Sequence, residues 1–238
     1  MTQLSPANAE RLKQAFLRCR DMDGTLGDRL QAYAAAGRNI FPAYSEAVDR
    51  LVARLRENGG GESAPRLGEV MPHFILPDET GRLVNLRSMI EQGPVVVMFY
   101  RGHWCPYCRL NVSAVIRAQG RIEALGGQTV AIMPETQRYA ERFKSESGAP
   151  FPILTDLDNG YALSLNLAIW LGPEIRQLLS YLDLSDFQGN DGWVLPIPAT
   201  FVVRPDGRVE ARFVDPDFRK RMEIDDLVAA VRHAGGKS

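Results

Sequence analysis

A mixed α/β domain behind a helical extension is the architecture this sequence predicts, and three observations carry it. Residues 95–100, "VVVMFY", form an unbroken β-branched and aromatic run, as expected of a strand covered on both faces. A helical pattern from about Pro106 places Val115, Ala118, Ile122 and Leu125 on one side and stops at Gly126-Gly127. "TVAIM" (129–133) follows, which makes a βαβ unit. "TFVV" (200–203), the turn "RPDGR" and an alternating "VEARFV" then read as a hairpin, so the sheet mixes parallel and antiparallel strands.

The remaining elements fall around this frame. Ser5-Pro6 has the pattern of an N-cap with proline at the first helical position, and Leu12, Ala15, Phe16 and Cys19 recur as one helix face. A further helix spans 45–57, with Val48, Leu51, Val52 and Leu55 inward, and "NGGGES" (58–63) ends it as a linker. Residues 1–60 are thus expected as a helical extension and 61–238 as the main domain. Later come a helix over 136–146, a strand over 151–154 and a final helix over 223–233. The segment 169–198 is longer than a plain link needs. It is expected to hold a short helix after Pro173 and a polar turn through Gly189 and Gly192.

Composition narrows the function classes. A chain of 238 residues with 45% hydrophobic and 24% charged residues is an ordinary globular one. A net charge of −1 argues against a general nucleic-acid binder. No apolar run approaches the roughly 20 residues that cross a bilayer, and the first residues lack a signal-peptide pattern. Three cysteines are too few for a disulfide scaffold, so a reducing cytoplasm is the expected compartment.

Two of those cysteines, Cys105 and Cys108, stand in "FYRGHWCPYCRLNV", just past the buried strand and in the first turn of the following helix. Functional groups gather at such strand ends. Residues three apart on a helix are about 5–6 Å apart at Cβ, close to disulfide reach. The helix start favours a thiolate, but only by up to ~2 kcal/mol, little more than one pKa unit. A deeper drop needs amide hydrogen bonds from Tyr107 or Cys108, or a cation such as Arg101 or Arg109. A zinc site would need partners among Cys19, His73, His103 and His233, none of them at ligand spacing, and a c-type haem would need histidine where Arg109 stands. No metal or other cofactor is therefore expected. Inert buried thiols are the bland alternative to a redox pair.

From residue 67 to about 230 the chain resembles the thioredoxin superfamily and, within it, the AhpC/TSA, peroxiredoxin-like family. The likeness is carried by "GEVMPHFILPDETGRLVNL", "VVVMFYRGHWCPYC", "FPILTDLDNGYALSLNL" and "PATFVVRPDGRV". Two departures bear on mechanism. Aligned on Phe99-Tyr100, Arg101 stands at the family's proline, Cys105 at its threonine and Cys108 at its peroxidatic cysteine. Pro198 replaces the family's later arginine and resembles the cis-proline that faces the dithiol in thioredoxins.

The resemblance implies an oxidoreductase with a thioredoxin-like, peroxiredoxin-type fold, working through a Cys105/Cys108 dithiol–disulfide cycle. In a peroxidase, Cys108 would attack a hydroperoxide, Cys105 would resolve the sulfenic acid, and Arg101 would supply the missing charge. In a protein disulfide reductase, Cys105 would attack, with Trp104, Ile197 and Pro198 forming the substrate groove. A redox sensor with negligible turnover is a third reading, prompted by the extension. An external thiol of the thioredoxin or glutathione type would be the reductant, and a homodimer is implied by resemblance only.

Other side chains have a bland reading beside a functional one. Cys19 sits on an apolar stripe and reads as a buried, inert thiol. His103 reads as a solvated loop imidazole unless it tunes the thiols. Trp193 either covers the dithiol or fills the 169–198 segment. Arg219 and Arg221, in "DPDFRKR", read by default as a solvated charge cluster, with a substrate role as the alternative.

Overall fold

Ser5 accepts a hydrogen bond from the Asn8 amide at 3.2 Å, Pro6 takes the first helical turn, and α1 (Pro6–Asp21) follows. The computed structural model describes residues 4–236. The extension holds one helix more than its apolar pattern predicts: α2 (Leu26–Ile40) precedes α3 (Pro42–Glu57). A capping box starts α2, with the Asp28 amide donating to Thr25 Oγ1 at 3.1 Å and the Thr25 amide to Asp28 Oδ2 at 2.9 Å.

A small antiparallel hairpin, β1 (Ile75–Pro77) and β2 (Leu83–Asn85), leads into α4 (Leu86–Ile90). The central βαβ unit is β3 (Val95–Phe99), α5 (Pro106–Ala124) and β4 (Gln128–Met133). Next come α6 (Gln137–Ser147), β5 (Ile153–Thr155), α7 (Gly160–Ser164) and β6 (Ala168–Trp170). The longer segment folds as α8 (Gly172–Leu178), α9 (Leu184–Gln188) and β7 (Val194–Pro196), two short helices where one was expected. β8 (Ala199–Val203), β9 (Val209–Val214) and α10 (Ile224–Ala234) complete the chain.

The main sheet has the order β5-β4-β3-β8-β9, with the first three strands parallel and β8 and β9 antiparallel. β3 lies at its centre, where Val97 faces Val130 on one side and Phe201 on the other. This explains the unbroken apolar run: Val96, Met98 and Tyr100 enter one apolar cluster, and Val95, Val97 and Phe99 enter the opposite one. β9 does not alternate as expected. Only Val209 is buried and the other five residues are half-buried, because β9 is an edge strand covered by the 61–64 segment, whose Gly61 and Ala64 carbonyls accept from Arg212.

The cluster on the α5 side is the one that positions the site. It joins Ala15, Leu30, Tyr33, Val48 and Leu51 of the extension to Val115 and Ile122 of α5 and Val231 of α10. Helices 6–57 therefore lie on the βαβ unit and share its core. Among the described residues no helix is long and apolar enough to cross a membrane.

Candidate active site

β3 ends at Phe99, and after five intervening residues Cys105 is the N-cap of α5, with Pro106 in the first turn. Pro106 lacks an N–H where a helix leaves one unpaired, and its fixed φ suits the turn. The loop between is held tightly. Gly102 has φ +141°, and a Cβ there would lie 2.5 Å from Glu135 Oε1 and 2.6 Å from Trp104 Nε1, so only glycine fits. The carboxylate of Glu135 accepts from the His103 amide at 2.8 Å and lies 2.9 Å from His103 Nδ1. The imidazole stacks on Tyr139 at 4.9 Å and meets Phe187 edge-on at 4.8 Å. His103 is thus buried rather than solvated, and it anchors the loop that presents the cysteines. Burial pushes the Glu135 carboxyl up, against the pull of His103.

Cys105 and Cys108 are free thiols with no exposed surface. The Arg101 amide and Arg221 Nη2 both point at Cys108 Sγ, each at 3.4 Å. The Arg221 guanidinium is fixed by donation to the carbonyls of Phe218 and Lys220. Arg101 lies with its guanidinium carbon 3.8 Å from the Phe218 ring centroid and 5.0 Å from that of Trp104. Both arginines are buried, and among the described residues neither pairs with a carboxylate. Leaving a charge unpaired in an interior costs several kcal/mol. A thiolate is the anion within reach that would offset it.

The electrostatics of the two sulfurs diverge. Burial opposes a Cys105 thiolate, but the Cys108 thiol, the charges of Arg101 and Arg221 and the Cys108 amide outweigh it and lower the pKa to about 6. Cys108 moves well above the ordinary value, because burial and the neighbouring Cys105 anion both disfavour a second negative charge. The opposite directions of the two shifts favour the proton on Cys108 over Cys105.

Cys105 also lines a cavity of about 490 Å³ between the dithiol and the extension, and Cys108 does not. Phe16, Tyr33 and Tyr44 of the extension line it together with Trp104, Tyr107 and Phe218. Tyr107 is buried and meets Tyr33 edge-on at 5.2 Å and Phe218 at 5.6 Å, so its ring joins the roof to the active-site helix. Arg219 lines the cavity too, tied to Asp217 at 2.7 Å and to Asp49 of α3 at 2.8 Å. The default of a solvated cluster therefore fails for Arg221 and holds only in part for Arg219.

The other sequence candidates lie elsewhere. Ile197 is fully buried in the cluster on the opposite face of the sheet, and it lines no groove beside Cys105. Pro198 is buried and its peptide bond is trans, since no cis bond occurs among the described residues, so the expected likeness to a thioredoxin cis-proline is corrected. Trp193 is buried and donates to Asp191 at 3.0 Å within the 169–198 segment. Cys19 is buried in α1, and burial raises its thiol pKa. Among the described residues no three His, Cys, Asp or Glu side chains gather as metal ligands would.

Comparison with known proteins agrees with this architecture. Residues 67–212 match the AhpC/TSA family. The thiol-disulfide oxidoreductase ResA of Bacillus subtilis is 24% identical over 150 residues, 63% of this chain and 68% of that protein. The peroxiredoxin bcp1 of Schizosaccharomyces pombe is 22% identical over 111 residues, 47% of this chain and 57% of that one. Among solved structures, the peroxidoxin BcpB of Mycobacterium tuberculosis superposes with a TM-score of 0.56 at 21% identity, covering 71% of this chain and 97% of that one. With the family match spanning more than half the chain and the strand-to-helix dithiol at its centre, the chain belongs to the AhpC/TSA family and is a thiol-dependent oxidoreductase.

Proposed function

We propose that the protein is a dithiol peroxidase in which Cys105 attacks the hydroperoxide and Cys108 resolves the product. The observation that carries this reading is the placement of Cys105, and not Cys108, on the cavity under the N-terminal helices, near two buried guanidinium groups that lack carboxylate partners. The Cys105 thiolate attacks the distal peroxide oxygen and the O–O bond breaks. Sulfur is oxidised to sulfenic acid, and the leaving alkoxide takes a proton to become an alcohol. Cys108 then displaces hydroxide from the sulfenic sulfur, which leaves as water with the Cys108 proton, and the Cys105–Cys108 disulfide forms. An external dithiol reduces that disulfide and is itself oxidised, so one hydroperoxide consumes two thiol equivalents.

A lowered pKa alone does not make this a peroxidase. At pH 7 a thiol with pKa about 6 is ~30-fold more ionised than an ordinary one. Its intrinsic nucleophilicity falls by roughly 10-fold for a Brønsted coefficient of 0.4–0.5, so the net gain is only about 3-fold. The larger part of any acceleration has to come from groups that meet the developing alkoxide. Arg101 Nη2 and Trp104 Nε1 are buried donors with no hydrogen-bond partner in residues that line the cavity, and they are suited to that role.

The second reading, a protein disulfide reductase, is favoured by the C-x-x-C pair and the similarity to ResA. The helices lying over Cys105 count against access by a folded protein disulfide. Peroxide consumption and insulin reduction, both measured with dithiothreitol as the thiol, separate the two. The expected result is peroxide turnover with little insulin reduction, lost by more than 10³-fold in Cys105→Ser. In Cys108→Ser a sulfenic acid trappable by dimedone should persist on Cys105. Insulin reduction without peroxide turnover would overturn the assignment, and a dimedone adduct on Cys108 in Cys105→Ser at the parent rate would reverse the roles of the two sulfurs.

A further inference from the structure

The helices α1, α2 and α3 lie outside the 67–212 span that matches the family, yet they build most of the wall opposite Cys105. From Phe16 on α1, Tyr33 on α2 and Tyr44 on α3 the chain presents aromatic rings to Trp104, Tyr107 and Phe218. A volume of about 490 Å³ lies within the roughly 300–1,000 Å³ of small-molecule sites. It is many times the roughly 30 Å³ that a water occupies, so a molecule as small as hydrogen peroxide leaves it nearly unfilled.

We infer that this cavity is a substrate subsite that selects hydroperoxides carrying an aromatic body, with the N-terminal helices as the specificity element. The inference rests on the peroxidase reading and adds to it the class of substrate. Aromatic walls favour a ring held edge-to-face or offset-stacked. Arg101 and Trp104 line the cavity together with Cys105, and each carries a buried donor, Nη2 and Nε1, that has no hydrogen-bond partner, which matches a ligand with an apolar body and a single oxygen-rich head. The –OOH group would accept from these donors with its distal oxygen towards Cys105 Sγ. The ring would fill the space under α1 and α2. When the O–O bond breaks, the ring-bearing alkoxide stays against the donors, takes up a proton and leaves as the alcohol. The second oxygen stays on sulfur as the sulfenic acid.

Gly37 of α2 lines the cavity and a Cβ there meets nothing within 4 Å, so it marks the place to fill the space. Leucine is also the better helix former, so the substitution does not weaken α2. The full chain is assayed with dithiothreitol against cumene hydroperoxide and hydrogen peroxide. The expected kcat/KM is at least ~10-fold higher for cumene hydroperoxide, and Gly37→Leu should lower the ratio of the two constants by about 10-fold. Cumyl alcohol, the non-oxidising product, should inhibit reduction of hydrogen peroxide competitively in the parent protein, a readout that needs no variant. Equal constants for the two peroxides, with no inhibition by cumyl alcohol, would overturn the inference and leave the peroxidase reading standing. Failure to consume either peroxide would overturn that reading itself, and this inference with it.

Discussion

The N-terminal helices and the family-matched sheet divide the site between them in unlike ways. The sheet region holds the groups assigned to the reaction in the proposed function: Cys105 and Cys108 at the start of α5, Arg101 in the loop before it, and Glu135 holding that loop through His103. The extension supplies shape, with aromatic rings and few charged groups over Cys105. On the proposed function and the inferred subsite, reactivity and most of the selectivity would reside on separate stretches of chain. Substitutions in one should change how the sulfur behaves, and substitutions in the other should change what reaches it and how firmly the roof is held.

The largest expected effect falls on the reactive side. Arg101→Met removes a buried charge that lowers the Cys105 pKa and an unpaired buried donor of a cavity-lining residue. Thiolate absorbance near 240 nm in the parent should be lost as pH falls through about 6, since the Cys105 pKa is lowered. In Arg101→Met that midpoint should rise by a unit or more, and kcat/KM for peroxide should drop ~10²-fold, the size of effect known for losing one preorganised donor. An unmoved midpoint would show that Arg221 and the helix start suffice.

A smaller effect, and one of stability, is expected in the roof. Tyr33→Ala deletes the ring between Phe16 and Tyr107, at 6.4 and 5.2 Å, and should cost about 3 kcal/mol in urea unfolding with the Cys105 midpoint unchanged. A shift of that midpoint would break the division between reactivity and shape. The smallest belongs to the Asp49–Arg219 pair that ties α3 to the loop before α10. Burial raises the Asp49 pKa, but hydrogen bonds from Arg38 and Arg219 outweigh it and lower it overall. Its contribution is present above the unfolded-state value near 3.9 and is lost as pH falls through the lower folded value. Asp49 is 41% exposed, so solvent screening holds Asp49→Asn to no more than ~1 kcal/mol at pH 7.

How much of this was legible depends on how local the signal is. The strand-to-helix junction was readable, because an unbroken apolar run, a glycine and a proline after Cys105 each act within a few residues. α2 escaped because its core residues, Leu26, Leu30 and Tyr33, are spread among alanines, and its strongest mark is a capping box built with Asp28 in place of Glu. The burial of His103 and Arg221 escapes a sequence reading for another reason. Each is a charged or titratable side chain in a polar stretch, and each is buried by a partner far off in sequence: Glu135, 32 residues on, and Cys108, 113 residues back. No window of neighbouring residues carries that information. Pro198 was misjudged because a matching short motif was given the backbone conformation that goes with it in another branch of the superfamily.

The hydrogen bond between Arg221 and Cys108 also has a meaning in time. On the ribosome, Cys108 emerges 113 residues before its guanidinium partner. At roughly 5–20 residues per second that is an interval of about 6–23 s. Through it the nascent thiols lack one of the two cations that favour ionisation of Cys105. The full set of charges around the dithiol exists only when the last stretch of polypeptide has been made and folded back onto α5.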